Sequence, residues 1–151
     1  MSTPNDPSYA THGYVESKPL PESVPHVDEI GATGAPLASA AFFIGAHCKD
    51  YNEDFMLCKA ENRDPAHCLK EGRKVTRCAA DVIAKLRDNC GAEFERHWKC
   101  LDNRNLEFQR CRTEERPLNE CVFAKLGLKK VVPGTPKGYE QIHEKKNPVY
   151  T

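Results

Sequence analysis

Eight cysteines, all between positions 48 and 121, constrain this chain more than any other feature. They stand at 48, 58, 68, 78, 90, 100, 111 and 121, so successive intervals are 10, 10, 10, 12, 10, 11 and 10 residues. Two antiparallel helices joined by a short turn bring together residues equidistant from that turn. The first four cysteines are symmetric about Arg63 and the last four about a turn near Arg104–Asn105. Eight cysteines allow ~105 connectivities, and this symmetry selects Cys48–Cys78, Cys58–Cys68, Cys90–Cys121 and Cys100–Cys111. A bridge needs Cα atoms within roughly 4.4–6.8 Å, closer than the ~8–10 Å of most helix pairs. Small residues beside the bridges, such as Gly72 and Ala79, favour that approach.

So many cysteines in so short a stretch point to an oxidising compartment. Met1–Glu16 nevertheless has neither the basic nor the apolar region of a secretory signal, and the first arginine is Arg63, unlike an Arg-rich transit peptide. The longest apolar run, residues 35–46, is far short of the ~20 needed to span a bilayer. An oxidised chain of this kind fits the mitochondrial intermembrane space. Over 151 residues the formal net charge is zero and the mean hydropathy −0.66, which gives no electrostatic case for nucleic acid. The charge is uneven: residues 1–35 carry net −4, with Asp6, Glu16, Glu22, Asp28 and Glu29 against Lys18, and residues 127–151 carry net +3.

Five prolines and three glycines in residues 1–35 exclude a long helix there and predict an extended arm. Pro36, well placed in a first turn, opens a helix expected to run to Glu61–Asn62. Along it Leu37, Ala41, Ile44, Cys48, Tyr51, Phe55 and Cys58 step by 4 and 3, the seam of a helix packed on another helix. Asp64-Pro65 reads as an N-cap followed by proline at the first helical position, a helix restart. The second helix carries Cys68, Val75, Cys78, Val82 and Leu86 and is expected to run on as the connector. Cys90, Phe94, His97 and Leu101, with Trp98 beside them, begin the second hairpin, which turns at Asp102–Asn105. Its last helix holds Phe108, Cys111, Leu118, Cys121, Val122 and Leu126 and stops at Gly127. Pro117 cannot donate to the carbonyl of Thr113 and is expected to kink or restart it.

The fold class is therefore all-α: two disulfide-bridged helical hairpins in tandem, residues 36–88 and 89–127. They lie between an extended Pro-rich arm, 1–35, and an extended basic tail, 128–151. Hairpins below roughly 40 residues bury little core and usually need disulfides, metals or partners. Bridges worth ~2–4 kcal/mol each then matter more than the apolar seam.

Paired Cys-X9-Cys helices closed by two bridges resemble the coiled-coil-helix–coiled-coil-helix (CHCH) proteins of the intermembrane space. The doubled framework resembles the double-CHCH accessory subunits of respiratory complex I, of the PGIV type. So do Trp98 two residues before Cys100 and the ending Glu120-Cys121-Val122-Phe123-Ala124-Lys125-Leu126-Gly127. The resemblance covers about residues 36–132. It implies a non-catalytic subunit on the intermembrane-space face of the membrane arm, peripheral on the inner membrane, whose partners are other complex I subunits. It also implies import through a disulfide relay, for which Tyr51 and Phe55, at helical spacing from Cys48 and Cys58, are the docking candidates. A free assembly factor or chaperone with the same fold, and more remotely a metallochaperone, are the alternatives.

Sharper chemistries find little support. Zinc sites favour ligand pairs two to four residues apart; ten-residue intervals place cysteines ~15 Å apart along a helix. The neighbours His47-Cys48 and His67-Cys68 would diverge by ~100° on a helix, so no metal is expected. Neither Cys-X-X-Cys nor Cys-Cys occurs, which argues against a redox enzyme or a copper carrier. His97 and Trp98 read as packing residues, not catalytic ones, and no phosphate loop or cofactor motif is present. The charged stretches Lys70–Lys74 and Arg112–Arg116 read as solvated faces.

Overall fold

A computed structural model of the chain describes residues 20–145; residues 1–19 of the expected arm and 146–151 of the tail lie outside it. Four helices follow in order: α1 (Gly34–His47), α2 (Lys49–Glu61), α3 (Leu69–Asn103) and α4 (Arg112–Leu126), the last entered through a 3-10 turn, Phe108–Cys111. No strand occurs among the described residues. The all-α class holds.

α3 is the spine. Ala79, Val82, Ile83, Leu86, Cys90, Phe94, His97 and Leu101 are its buried residues and recur every three or four positions, an apolar stripe along one face. The first half of α3 is bridged to α1–α2 and the second half to α4. A single cluster joins Ala40 and Phe43 of α1, the middle of α3, and Leu118 and Val122 of α4. α1 thus lies over both hairpins, and its Phe43 ring stands 6.3 Å from that of Phe123.

The expected first helix is two. It breaks at Cys48, whose φ of −96° and ψ of 15° leave the helical region, while hydrogen bonds continue from Cys48 N–H to Ile44 and from Asn52 N–H to Cys48. The buried residues of α1 are Ala35, Ser39, Ala40 and Phe43, with Leu37 and Ile44 at their edge and Ala41 exposed. α2 buries no residue at all. Its seam faces a polar stretch of α3, so bridges and not apolar contact hold it there.

The second restart comes later than expected. Asp64 accepts a hydrogen bond from the Ala66 amide and its carbonyl one from the His67 amide, so Pro65–Cys68 form a turn and α3 begins at Leu69. α3 then passes through Cys90 with one non-helical residue, φ −131° and ψ 33°. Pro117, by contrast, sits inside α4 without restarting it. The loss is one hydrogen bond to the exposed Thr113, which water can replace.

The tail expected to be extended is irregular but fastened down across 128–145. Leu128 packs on the core, Lys130 is buried, and the Val132 amide donates to Gln141 Oε1 at 2.8 Å. His143 reaches back to the Phe123 ring at 6.2 Å.

Candidate functional site

Four disulfides join Cys48 to Cys78, Cys58 to Cys68, Cys90 to Cys121 and Cys100 to Cys111, with Cα atoms 5.9–6.0 Å apart. Each bond unites a bent cysteine with a helical one. Cys48, Cys68 and Cys111 are the N-cap residues of α2, α3 and α4, and Cys90 is the bend in α3. These four are also the buried cysteines, at most 1% exposed, while their partners are half-buried. The bend is the device that brings two backbones to 6 Å where straight helices would stand ~8–10 Å apart. Gly72, expected to favour the approach, is not required for it: a Cβ there would stand 3.4 Å from the Phe55 ring, an ordinary contact.

A buried polar cluster fills the junction of α1, α3, α4 and the tail. Glu115 is 1% exposed; it accepts from Lys130 Nζ at 2.5 Å and from Arg112. Lys130 also donates to Asn119 Oδ1 at 3.2 Å and lies 5.3–5.8 Å from the ring centroids of Phe42, Phe43 and Phe108. Burial alone would raise the Glu115 carboxyl, but the Lys130 ammonium and Arg112 guanidinium, by charge and hydrogen bond, outweigh it and hold the pKa below the usual range. Beside this pair Ser39 Oγ and His97 Nδ1 share a 2.7 Å hydrogen bond. Burial is the main cause that lowers His97 to about 4; Glu115 opposes it, and Lys130 and Arg112 add to it. His97 is therefore neutral at pH 7. The cluster is closed to solvent and has the character of a lock between elements. Catalytic chemistry needs reagents to reach it.

The docking candidates separate. Tyr51 is 48% exposed, whereas Phe55 is half-buried over Gly72 with the Lys59 ammonium 5.8 Å from its ring centroid. Met56 and Leu57, which the sequence reading passed over, are 64% and 67% exposed. Trp98 packs at the edge of the core. Two groups gather donor atoms within 4.8 Å: Cys58, His67 and Cys68, and Cys100, Cys111 and Glu114. In both, the sulfurs are spent on disulfides. The stretch Arg112–Arg116, read from the sequence as a solvated face, is not one throughout: Glu115 is 1% exposed and the Arg112 side chain 13%, because the two pair with each other and with Lys130 under the tail. Lys130 the sequence reading passed over. The signal was available, since Glu115 falls in register with Leu118, Val122 and Leu126, on the face that α4 buries.

No family model matches the chain. Over 146 residues, 95% of the chain, it is 49% identical to the NADH-ubiquinone oxidoreductase 20.8 kDa subunit of Neurospora crassa, 80% of which is covered. Over 83 residues, 55% of the chain, it is 35% identical to NADH dehydrogenase (ubiquinone) 1 alpha subcomplex subunit 8-A of Arabidopsis thaliana, and equally to subunit 8-B; 77% and 78% of those proteins are covered.

Proposed function

The chain belongs to the family of NADH-ubiquinone oxidoreductase subunits that includes the Neurospora crassa 20.8 kDa protein, and from that membership we propose that it is a non-catalytic accessory subunit of respiratory complex I, peripheral on the intermembrane-space face of the membrane arm. The observation that carries the reading is the use of every cysteine in a bridge within a chain related over nearly its whole length to a complex I subunit. Four bridges suit an oxidising compartment. No helix among the described residues is long and apolar enough to cross a membrane, which suits peripheral attachment.

In this reading the molecule works as a rigid clamp. The bridges fix α2 and α4 against α3, the Glu115–Lys130 lock fixes the tail against α4, and the outer surfaces brace neighbouring subunits. Electron transfer, quinone reduction and proton movement belong to those neighbours. The chain enters unoxidised, with Tyr51 and Phe55 meeting the disulfide relay beside Cys48 and Cys58.

Protease treatment of mitochondria tests the placement. The chain is expected to survive in intact organelles, to be degraded once the outer membrane alone is opened, and to leave the membrane in alkaline extraction. Survival until the inner membrane is broken would overturn it.

A further inference from the structure

The outer bridge of the first hairpin has surroundings that its counterpart lacks. His67 precedes Cys68 in the turn Pro65–Cys68, and on a turn the helical divergence of neighbouring side chains does not apply. The imidazole nitrogen and the sulfurs of Cys58 and Cys68 lie within 4.8 Å of one another, and Glu71 Oε2 stands 3.9 Å from Cys58 Sγ. Cys68 is the N-cap of α3, where the helix end favours a thiolate. The outer bridge of the second hairpin has Glu114 beside Cys100 and Cys111 but no imidazole.

We propose that Cys58, His67, Cys68 and Glu71 form a zinc site whenever the Cys58–Cys68 bond is open. Tetrahedral zinc with Zn–S ~2.3 Å and Zn–N ~2.0–2.1 Å places its donor atoms roughly 3.5–3.8 Å apart, so sulfurs bonded at ~2.05 Å part by roughly 1.7 Å once the bond is open. The two thiols lose their protons to solvent as Zn²⁺ binds, and the imidazole binds neutral. During oxidation, once Cys48–Cys78 has closed and before Cys58–Cys68 does, no reductant is needed; in the finished protein a phosphine or dithiol must first deliver two electrons to the bond. Zinc and disulfide then exclude each other at the same pair of sulfurs, so the ion delays closure of this bridge alone. The site stands independently of where the chain assembles.

The test follows closure bridge by bridge. The full chain is reduced with a phosphine, freed of it, and reoxidised with glutathione disulfide, with and without equimolar Zn²⁺. Free thiols are alkylated and mapped by mass spectrometry. With zinc, Cys58 and Cys68 are expected to close at least about tenfold more slowly, because thiolates held by the metal are withheld from exchange. Native mass spectrometry should find one Zn²⁺ on the species with only that bridge open, and Cys100–Cys111 should close at its metal-free rate. His67→Ala should abolish the delay and Glu71→Gln shorten it, the delay in each variant being the ratio to that variant's own metal-free closure rate. Equal delay at both outer bridges, no delay at either, or full delay in His67→Ala would overturn the proposal.

Discussion

Lys130, four residues past the end of α4, places its ammonium 2.5 Å from Glu115 with both side chains 1% exposed. Breaking a buried pair by removing one partner costs ~3–5 kcal/mol, while replacing both by apolar groups is often neutral. Lys130→Met is therefore expected to destabilise the oxidised protein by about 3 kcal/mol, with Glu115 left to Arg112 alone. The double variant Glu115→Leu with Lys130→Met should recover most of that loss. Urea unfolding of the three proteins decides it; a double variant as unstable as the single one would show that the pair does more than satisfy itself.

His97 makes stability depend on pH. Its folded pKa is about 4 against 6.5 when unperturbed, so between these values the unfolded chain binds the extra proton. Stability must then fall as pH falls through that window, by about 3 kcal/mol. The loss from Glu115 comes lower, below its ordinary carboxylate range, because its folded pKa is depressed. Unfolding free energies at pH 7 and pH 4.5 should show the difference in the native chain and a much smaller one in His97→Gln.

The bridges differ in the loops they close. Cys48–Cys78 and Cys90–Cys121 span 30 and 31 residues, the outer pair 10 and 11. On the chain-entropy account an inner bridge is worth about 3.6 kcal/mol and an outer one about 2.7. Replacing Cys48 and Cys78 together by Ala should thus cost more than replacing Cys58 and Cys68. With all four bonds reduced, the chain is expected to lose most of its helicity in far-UV circular dichroism.

Leu106 and Gly127 share a φ of 60° with opposite chemistry. The left-handed backbone costs an L side chain roughly 1–2 kcal/mol, and only at Gly127 is it free. Gly127→Ala should lower stability by about 1 kcal/mol, whereas Leu106→Gly should leave it level or raise it slightly, since Leu106 is 45% exposed and has little packing to lose. The melting temperature should fall in Gly127→Ala and should not fall in Leu106→Gly.

What the sequence disclosed was set by how far apart the cooperating residues lie. Helical periodicity and cysteine spacing are local patterns, and the all-α class and the second helix running on as the connector could be read from them. The bends at Cys48 and Cys90 could not, because each is imposed by a partner on another helix. The late start of α3 reflects Asp64 capping a turn, which the same Asp-Pro signature encodes equally well. Lys130 looked like one of several tail lysines; only the fold brings it to Glu115. The exposed seam of α2 has the same origin, because a heptad says that a helix can pack and not that the facing helix is apolar.

The central claim is that this chain is a permanent scaffold of complex I. A native gel of mildly solubilised mitochondrial membranes, probed for the chain beside staining for NADH dehydrogenase activity, tests it most directly. The account predicts that essentially all of the chain migrates with the active complex. A chain found mostly as a small soluble species would contradict it.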